Sequence, residues 1–162
     1  MTQAAAADPV RTCGILVVDD NEDVRSVLQC VLSQAGFSVW LASSGREALE
    51  VYRNRNITID MVLLDVCMPD LDGPQTLAAM QQVTPRVVCC FMSGNPGSHT
   101  RRGLRDLGAA AVFAKPFRIP ELIDALWEIA AAGRCTVDDP LAALFACRRL
   151  GGGPSLSVGL GE

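Results

Sequence analysis

Short apolar segments alternate with helical patterns along most of the chain, and this alternation restricts the fold more than any other feature. Five apolar segments, bounded by turn or polar residues, have the length of strands: 14–18, 38–42, 61–64, 87–92 and 111–114. Strands that alternate with helices form parallel sheets through right-handed crossovers, with helices covering both faces. We therefore predict a three-layer α/β domain over residues 12–132.

The segments between these strands carry helical periodicity. The first has apolar residues at the spacing of one helix face and then Gly36, a residue type common just past a helix end: Val24, Val27, Leu28, Val31, Leu32 and Ala35. Ser44 and Glu47 form a capping box, which predicts a second helix over 45–55. Further helices are predicted over 73–82, over 99–107 and from Pro120 onward.

The two ends of the chain differ from this pattern. Residues 1–11 are rich in Ala and lack periodicity, so we expect a loose leader. In the tail over 133–162, Asp139 and Pro140 could begin a short helix over 140–150, which the glycines from Gly151 would end. A segment this short is too small to fold as a second domain without a metal or disulfides.

Composition excludes several classes of protein. The net charge of −4 disfavours a nucleic-acid surface, and no apolar stretch reaches the ~18 residues of a membrane span. The seven cysteines include no C-x-x-C pair, which disfavours a zinc site and predicts mainly buried thiols in a reducing compartment. We expect a cytoplasmic protein.

Chemically active side chains follow the apolar segments. Asp19 and Asp20 follow the first, Asp65 the third and Ser93 the fourth, while Lys115, the only lysine among fourteen basic residues, follows the fifth. In open parallel sheets, ligands bind at the carboxyl ends of strands. Three carboxylates at one edge repel each other unless a cation is present, and oxygen ligands suit Mg²⁺ or Mn²⁺. The implied substrate is a phosphoryl group, because Mg²⁺ commonly completes its coordination with phosphate oxygens.

These motifs, taken in order, resemble those of the receiver domains of two-component response regulators. The resemblance covers residues 12–132 and rests on five segments: Val18-Asp19-Asp20, Leu64-Asp65-Val66-Cys67-Met68-Pro69, Asp72-Gly73, Met92-Ser93-Gly94 and Lys115-Pro116-Phe117. It implies a flavodoxin-like (βα)5 sandwich whose five-stranded parallel sheet has the order 2-1-3-4-5. It also implies a stand-alone receiver that acts as a phosphoacceptor and not as an enzyme.

The resemblance assigns a metal site. Asp65 is expected to accept a phosphoryl group from a sensor histidine kinase or a histidine phosphotransfer protein. Asp20, Asp65 and the backbone carbonyl of Cys67 would ligate Mg²⁺ directly, with Mn²⁺ as a substitute, and Asp19 would act from the outer shell. The acyl phosphate would hydrolyse slowly and reset the protein.

The resemblance also assigns the groups that bind the phosphoryl oxygens. Ser93 and Lys115 would each contact one oxygen, and the peptide bond between Lys115 and Pro116 would be cis. The output would be contact with a downstream protein, with no direct DNA binding and no membrane association. A phosphorylation-dependent dimer is left open.

The chain departs from the family pattern at a position where, in receivers, rotation of an aromatic ring is coupled to movement of the hydroxyl residue, here Ser93. Val112 stands three residues before Lys115, where receivers often carry Phe or Tyr, and the adjacent Phe113 would point to the opposite face of the strand. A scaffold that works without phosphate is therefore an alternative. An aspartate-nucleophile phosphohydrolase is less favoured, because Cys67 occupies the position of the second Asp in such enzymes. A thiol beside carboxylates is expected to keep a high pKa and to be unreactive.

Overall fold

The computed structural model describes residues 12–94 and 99–134, so the predicted leader and the predicted helix over 140–150 lie outside the described residues. The strands are β1 Gly14–Val18, β2 Ser38–Ala42, β3 Met61–Asp65, β4 Cys89–Ser93 and β5 Ala111–Ala114. The helices are α1 Glu22–Gln34, α2 Gly45–Arg55, α3 Gly73–Val83, α4 Arg101–Asp106 and α5 Ile119–Arg134. Strands and helices alternate throughout, as predicted.

The five strands form one parallel sheet in the order β2-β1-β3-β4-β5. β1 pairs with β2 on one side, where Val18 lies opposite Ala42, and with β3 on the other, where Val18 lies opposite Leu64. At the far edge, Ser93 of β4 lies opposite Ala114 of β5. The predicted flavodoxin-like order 2-1-3-4-5 is confirmed.

Two apolar cores lie on the two faces of the sheet. One packs α2, α3 and α4 against residues such as Leu64 and Phe91, while the other packs α1 and α5 against residues such as Val17 and Leu63. Cys89 belongs to the first core and its neighbour Cys90 to the second, as strand alternation requires. Each fully buried aliphatic side chain contributes roughly 1.5–3 kcal/mol, so the two cores together hold the three layers in place.

Helix α1 begins and ends as its sequence indicates. The Asn21 side chain caps the first turn, and Gly36 adopts a φ of 96° just past the last turn. The amides of Gly36 and Phe37 donate to the carbonyls of Ser33 and Leu32, which is the hydrogen-bond pattern of a Schellman motif. One prediction is corrected here: Val27 was placed on the apolar face, yet it is 53% exposed because it lies at the rim of that face.

Two predicted helix starts differ in detail from the structure. The Ser44 hydroxyl caps α2, but the Glu47 carboxylate accepts hydrogen bonds from the amide and hydroxyl of Ser43, so the predicted capping box with Ser44 is only half formed. Helix α4 starts at Arg101, with Thr100 as its cap, and is shorter than the predicted 99–107. Strand β4 begins at Cys89, later than predicted.

The cysteines follow the expectation of burial only in part. Cys13, Cys89 and Cys90 are buried, whereas Cys30 on α1 and Cys67 after β3 are exposed, so three of the five described cysteines meet the expectation of buried thiols. The apolar periodicity of α1 does not include Cys30, which faces solvent. Within residues 12–94 and 99–134, none of the helices combines the length and the apolar character that crossing a membrane requires.

Candidate functional site

Four neighbouring strands deliver the predicted site residues to one edge of the sheet. Asp19 directly follows β1, Asp65 ends β3, Ser93 ends β4, and Lys115 directly follows β5. The strands run parallel, so these carboxyl ends lie side by side, and the backbone amide of Lys115 donates to the carbonyl of Ser93 at 2.7 Å. The sequence placed these residues together, and the structure brings them together.

Asp65 is the last residue of β3 and lies at this edge of the sheet. It is only 5% exposed, and burial raises the pKa of its carboxyl above the usual value. The hydrogen bond and charge of Lys115 oppose this increase in the pKa, while the neighbouring Asp19 and Asp20 add to it. Asp65 is thus a buried, poorly solvated carboxylate with the Lys115 ammonium beside it.

Lys115 bridges two of the carboxylates. Its Nζ atom donates to Oδ2 of Asp19 at 2.6 Å and to Oδ1 of Asp65 at 3.0 Å. Burial alone would lower the pKa of Lys115, but its bonds to both carboxylates outweigh burial and raise that pKa above the usual value. The ammonium therefore stays charged and partly neutralises the acidic edge. The Lys115–Pro116 peptide bond is cis, as predicted.

Asp19, Asp20 and Asp65 together have the chemistry of a divalent-cation site. One carboxylate oxygen of each residue lies within 4.8 Å of the others, and the cluster combines two buried residues with one exposed residue, Asp20. Hard cations such as Mg²⁺ prefer oxygen ligands, and a partly open site leaves room for water and phosphate oxygens. The donor set fits Mg²⁺. The expected contribution of the Cys67 carbonyl stays a prediction.

The loop after β3 is fixed by local contacts. The amide of Gly73 donates to the carbonyl of Val66, and Asp72 caps α3 in a reciprocal box with Gln75. A side chain at Gly73 would meet backbone atoms, because a Cβ atom there would lie 2.5 Å from the carbonyl oxygen of Asp65. The Asp-x-x-Gln spacing of this box is a signal that the sequence analysis did not use.

A second residue that sequence reasoning missed is Arg25. Its Nη1 atom donates to the backbone carbonyl of Asp19 at 2.7 Å. A residue of α1 is thus bonded to the segment that carries Asp19 and Asp20, which we call the acidic loop. The only available signal was its place five residues after Asp20. Nothing in composition or periodicity distinguishes this arginine from a solvated one.

Val112 and Phe113 lie on opposite faces of β5, as predicted. Val112 packs against the core beneath α4, and Phe113 packs against the core shared by α1 and α5. A cavity of about 250 Å³ lies beside Val112, with Ser93, His99 and Lys115 among its lining residues. Phe113 is therefore unable to take the place of an aromatic residue at position 112.

Comparisons of this chain with family models and with known proteins point to the same family. The model of the response regulator receiver domain matches residues 15–127. Sporulation initiation phosphotransferase F of Bacillus subtilis is 32% identical over 112 residues, covering 69% of this chain and 89% of that protein. Sensor kinase CckA of Brucella abortus is 31% identical over 124 residues, covering 76% of this chain but 13% of that much longer protein.

A solved structure supports the same similarity. A response regulator receiver domain protein from Clostridium thermocellum superposes with a TM-score of 0.70 at 26% identity, covering 74% of this chain and 95% of that one. The family match over residues 15–127 reaches all five described strands and all five described helices.

Proposed function

The chain belongs to the response regulator receiver family of two-component signalling, and we propose that Asp65 is its phosphoacceptor. The observation that carries this proposal is the buried Asp65 carboxylate, 3.0 Å from the Lys115 ammonium and clustered with Asp19 and Asp20. A nucleophilic oxygen, a fixed cation and carboxylates suited to Mg²⁺ are the components that phosphoryl transfer needs.

In the proposed reaction, a carboxylate oxygen of Asp65 attacks the phosphorus of a phosphohistidine on a sensor kinase or phosphotransfer protein. The new O–P bond forms as the P–N bond breaks, and the imidazole leaves with the electron pair of that bond and takes up a proton. Bound Mg²⁺ would neutralise charge on the transferring oxygens, held by Asp20, Asp65 and the Cys67 carbonyl, with Asp19 in the outer shell. Hydrolysis of the acyl phosphate by water later restores the carboxylate and releases phosphate.

Lys115 and Ser93 receive the phosphoryl group in this proposal. Lys115 already contacts Asp65, so its ammonium can move from that oxygen to a phosphoryl oxygen with little displacement. Ser93 lies one strand away, joined to Lys115 through the backbone bond between their segments, and its hydroxyl would donate to another oxygen. The output is a contact with a downstream protein that depends on the phosphoryl state.

Labelling with acetyl phosphate and Mg²⁺ tests the proposal. Intact-mass spectrometry of the wild type should show the addition of one phosphoryl group, and Asp65→Asn should show none. Asp70→Asn is the matched control, because Asp70 is an exposed Asp in the same loop with a φ of 66°, a conformation that Asn tolerates.

Beryllofluoride separates the phosphoacceptor from the alternatives. Addition of beryllofluoride with Mg²⁺ should shift the amide NMR signals around Asp65, Ser93 and Lys115 in the wild type but not in Asp65→Asn. An unlabelled wild type with unchanged spectra would leave the phosphate-independent scaffold as the function. Steady release of phosphate from many turnovers of a phosphomonoester would instead indicate a phosphohydrolase.

A further inference from the structure

The backbone on both sides of Asp20 is held by hydrogen bonds. The carbonyl of Asp19, which belongs to the peptide group before Asp20, accepts from Nη1 of Arg25 at 2.7 Å. The amide of Asn21, which belongs to the peptide group after Asp20, donates to Oδ1 of Asp19 at 2.9 Å. Because peptide groups are planar, fixing both of them fixes the Cα–Cβ direction of Asp20.

Asp20 is the carboxylate of the cluster that makes no contact with Lys115. Both carboxylate oxygens of Asp19 are engaged, Oδ1 by Asn21 and Oδ2 by Lys115. Oδ1 of Asp65 also accepts from Lys115. The exposed Asp20 carboxylate forms no hydrogen bond or ion pair within the described segments, so its position depends on the backbone that carries it.

Arg25 is placed to hold that backbone from α1. Its amide donates to the carbonyl of Asn21, the capping residue, so Arg25 lies in the first full turn of the helix. Long helical side chains point back toward the helix N-terminus, which directs the guanidinium to the Asp19 carbonyl. The side chain is half-buried, and a guanidinium offers several donors in a rigid plane where an ammonium offers a single point of charge.

Glu47 supplies a negative charge that interacts with the charge of Arg25. Hydrogen bonds from the hydroxyl and amide of Ser43, at 2.6 and 2.7 Å, fix its carboxylate at the start of α2. These bonds, and to a smaller extent the charge of Arg25, lower the pKa of Glu47. The amide of Asp19 also donates to the carbonyl of Ala42, which joins the same two loops. Arg25 thus bonds to the acidic loop and interacts electrostatically with the start of α2.

We propose that Arg25 is a positioning residue for the divalent-cation site, acting on the Asp19–Asp20 peptide group so that the Asp20 carboxylate faces Asp65. This inference rests on the proposed function, because it concerns the same cation. In this proposal Arg25 acts through the backbone carbonyl of Asp19 and is not itself a ligand of the cation. Groups that orient metal ligands typically change metal affinity by about 10–100-fold when they are removed.

Calorimetric titration with MgCl₂ alone, without a phosphodonor, tests the inference. Arg25→Met should weaken Mg²⁺ binding by about tenfold, at the lower end of the range for residues that orient ligands. Arg25→Lys should show a smaller loss, because an ammonium retains one donor and the charge. Arg53→Met is the matched control, since Arg53 is an exposed arginine near the end of α2, away from the acidic loop, and its loss should leave Mg²⁺ affinity unchanged.

The results distinguish failure of the role proposed for Arg25 from failure of the proposed function. Equal Mg²⁺ affinity in Arg25→Met and the wild type overturns the role of Arg25 and leaves the phosphoacceptor proposal intact. A wild type that binds no Mg²⁺ and is not labelled by acetyl phosphate overturns the proposed function itself. Urea unfolding without Mg²⁺ identifies a purely structural role, in which Arg25→Met loses stability but keeps its Mg²⁺ affinity.

A measurement on the wild type keeps the inference testable if Arg25→Met does not fold. In protein labelled with ¹⁵N-arginine, the Arg25 guanidinium signals should show slow rotation about the Nε–Cζ bond and should shift on Mg²⁺ addition. Fast rotation and unchanged signals would overturn the inference.

Discussion

The Lys115 ammonium lies 2.6 Å from Oδ2 of Asp19, a carboxylate 96 positions away in sequence and only 1% exposed. The same ammonium is 3.0 Å from Asp65. One lysine therefore joins the ends of three strands and compensates two buried negative charges. Without Mg²⁺, this contact is the main electrostatic support of the acidic edge.

Replacing Lys115 with Met should lower the free energy of unfolding at pH 7 by about 2–3 kcal/mol, less than for a fully buried pair because the lysine side chain is 22% exposed. The loss should shrink as the pH is lowered. Without the ammonium, the folded-state pKa of Asp65 should rise further, so its unfavourable charge disappears once the carboxyl is protonated. Urea unfolding between pH 5 and pH 8 measures both effects.

Mg²⁺ should restore part of the stability of Lys115→Met, because a bound cation replaces the missing charge and binding to the folded state adds stability. Lys115→Arg is the charge-retaining control and should lose less stability than Lys115→Met. Equal stability of Lys115→Met and the wild type in the absence of Mg²⁺ would contradict the electrostatic role.

Asp65→Asn should increase the free energy of unfolding at pH 7 by about 1 kcal/mol, since residues placed for function are often unfavourable for stability. Burial raises the pKa of Asp65 in the folded state. The contribution of Asp65 to the free energy of unfolding is therefore complete below its unfolded-state pKa and is lost as the pH rises through its folded-state pKa. The gain in the free energy of unfolding of Asp65→Asn over the wild type should therefore be largest at neutral pH and should decrease toward pH 4. Urea unfolding without Mg²⁺ measures it, and Asp70→Asn should show no comparable gain.

The strand order and the helices could be predicted because periodicity and motif order carry that information. Element ends were less predictable. The apolar run from Val87 continues through a turn, where the Val87 amide donates to Thr84, into β4, so hydrophobicity does not mark where the strand begins. Thr100 caps α4 through the amide of Gly103, a signal present in the sequence but obscured by a glycine inside the helix.

The site was predictable as a set of residues but not as a geometry. Parallel strands require Asp19, Asp65 and Lys115 to share one edge, yet the double contact of Lys115 depends on side-chain rotamers and on register across three strands. Arg25 could not be recognised because its hydrogen bond goes to a backbone carbonyl, which no residue pattern encodes. The double contact of Lys115 and the bond of Arg25 to the main chain are therefore seen only in the structure.

Gly73→Ala should destabilise the protein by about 2–3 kcal/mol, because the new methyl group meets the backbone and not a flexible side chain. A Cβ atom there would lie 2.5 Å from the Asp65 carbonyl oxygen and 2.9 Å from Cα of Val66. Gly133→Ala is the matched control, since nothing lies within 4 Å of its added Cβ and alanine favours the helix. Thermal unfolding compares the two variants, and equal melting temperatures would contradict the close approach.

Thiol alkylation should separate the described cysteines into two groups. Burial raises the pKa of Cys90 to about 12 and that of Cys89 well above the usual value, so both should resist iodoacetamide at pH 8 until the protein unfolds. Cys30 and Cys67 are exposed and should react faster than the buried thiols in the folded state. The neighbouring carboxylates should make Cys67 the slower of the two, in line with the low reactivity expected from its sequence position. Peptide mass spectrometry after a short pulse gives the rates, and modification of Cys89 as fast as Cys30 would contradict the packing of β4.

Cys67 should also report occupancy of the site. It lies two residues after Asp65, so beryllofluoride with Mg²⁺ should slow its alkylation, by covering the loop and ordering its backbone. Cys30 lies on the solvent face of α1 and is the internal control, with a rate that should not change. In Asp65→Asn the protection of Cys67 should disappear while the rate at Cys30 stays the same. Equal slowing at both cysteines would indicate a general effect of the reagent, because Cys67 follows the proposed phosphoacceptor by two residues whereas Cys30 lies on the solvent face of α1.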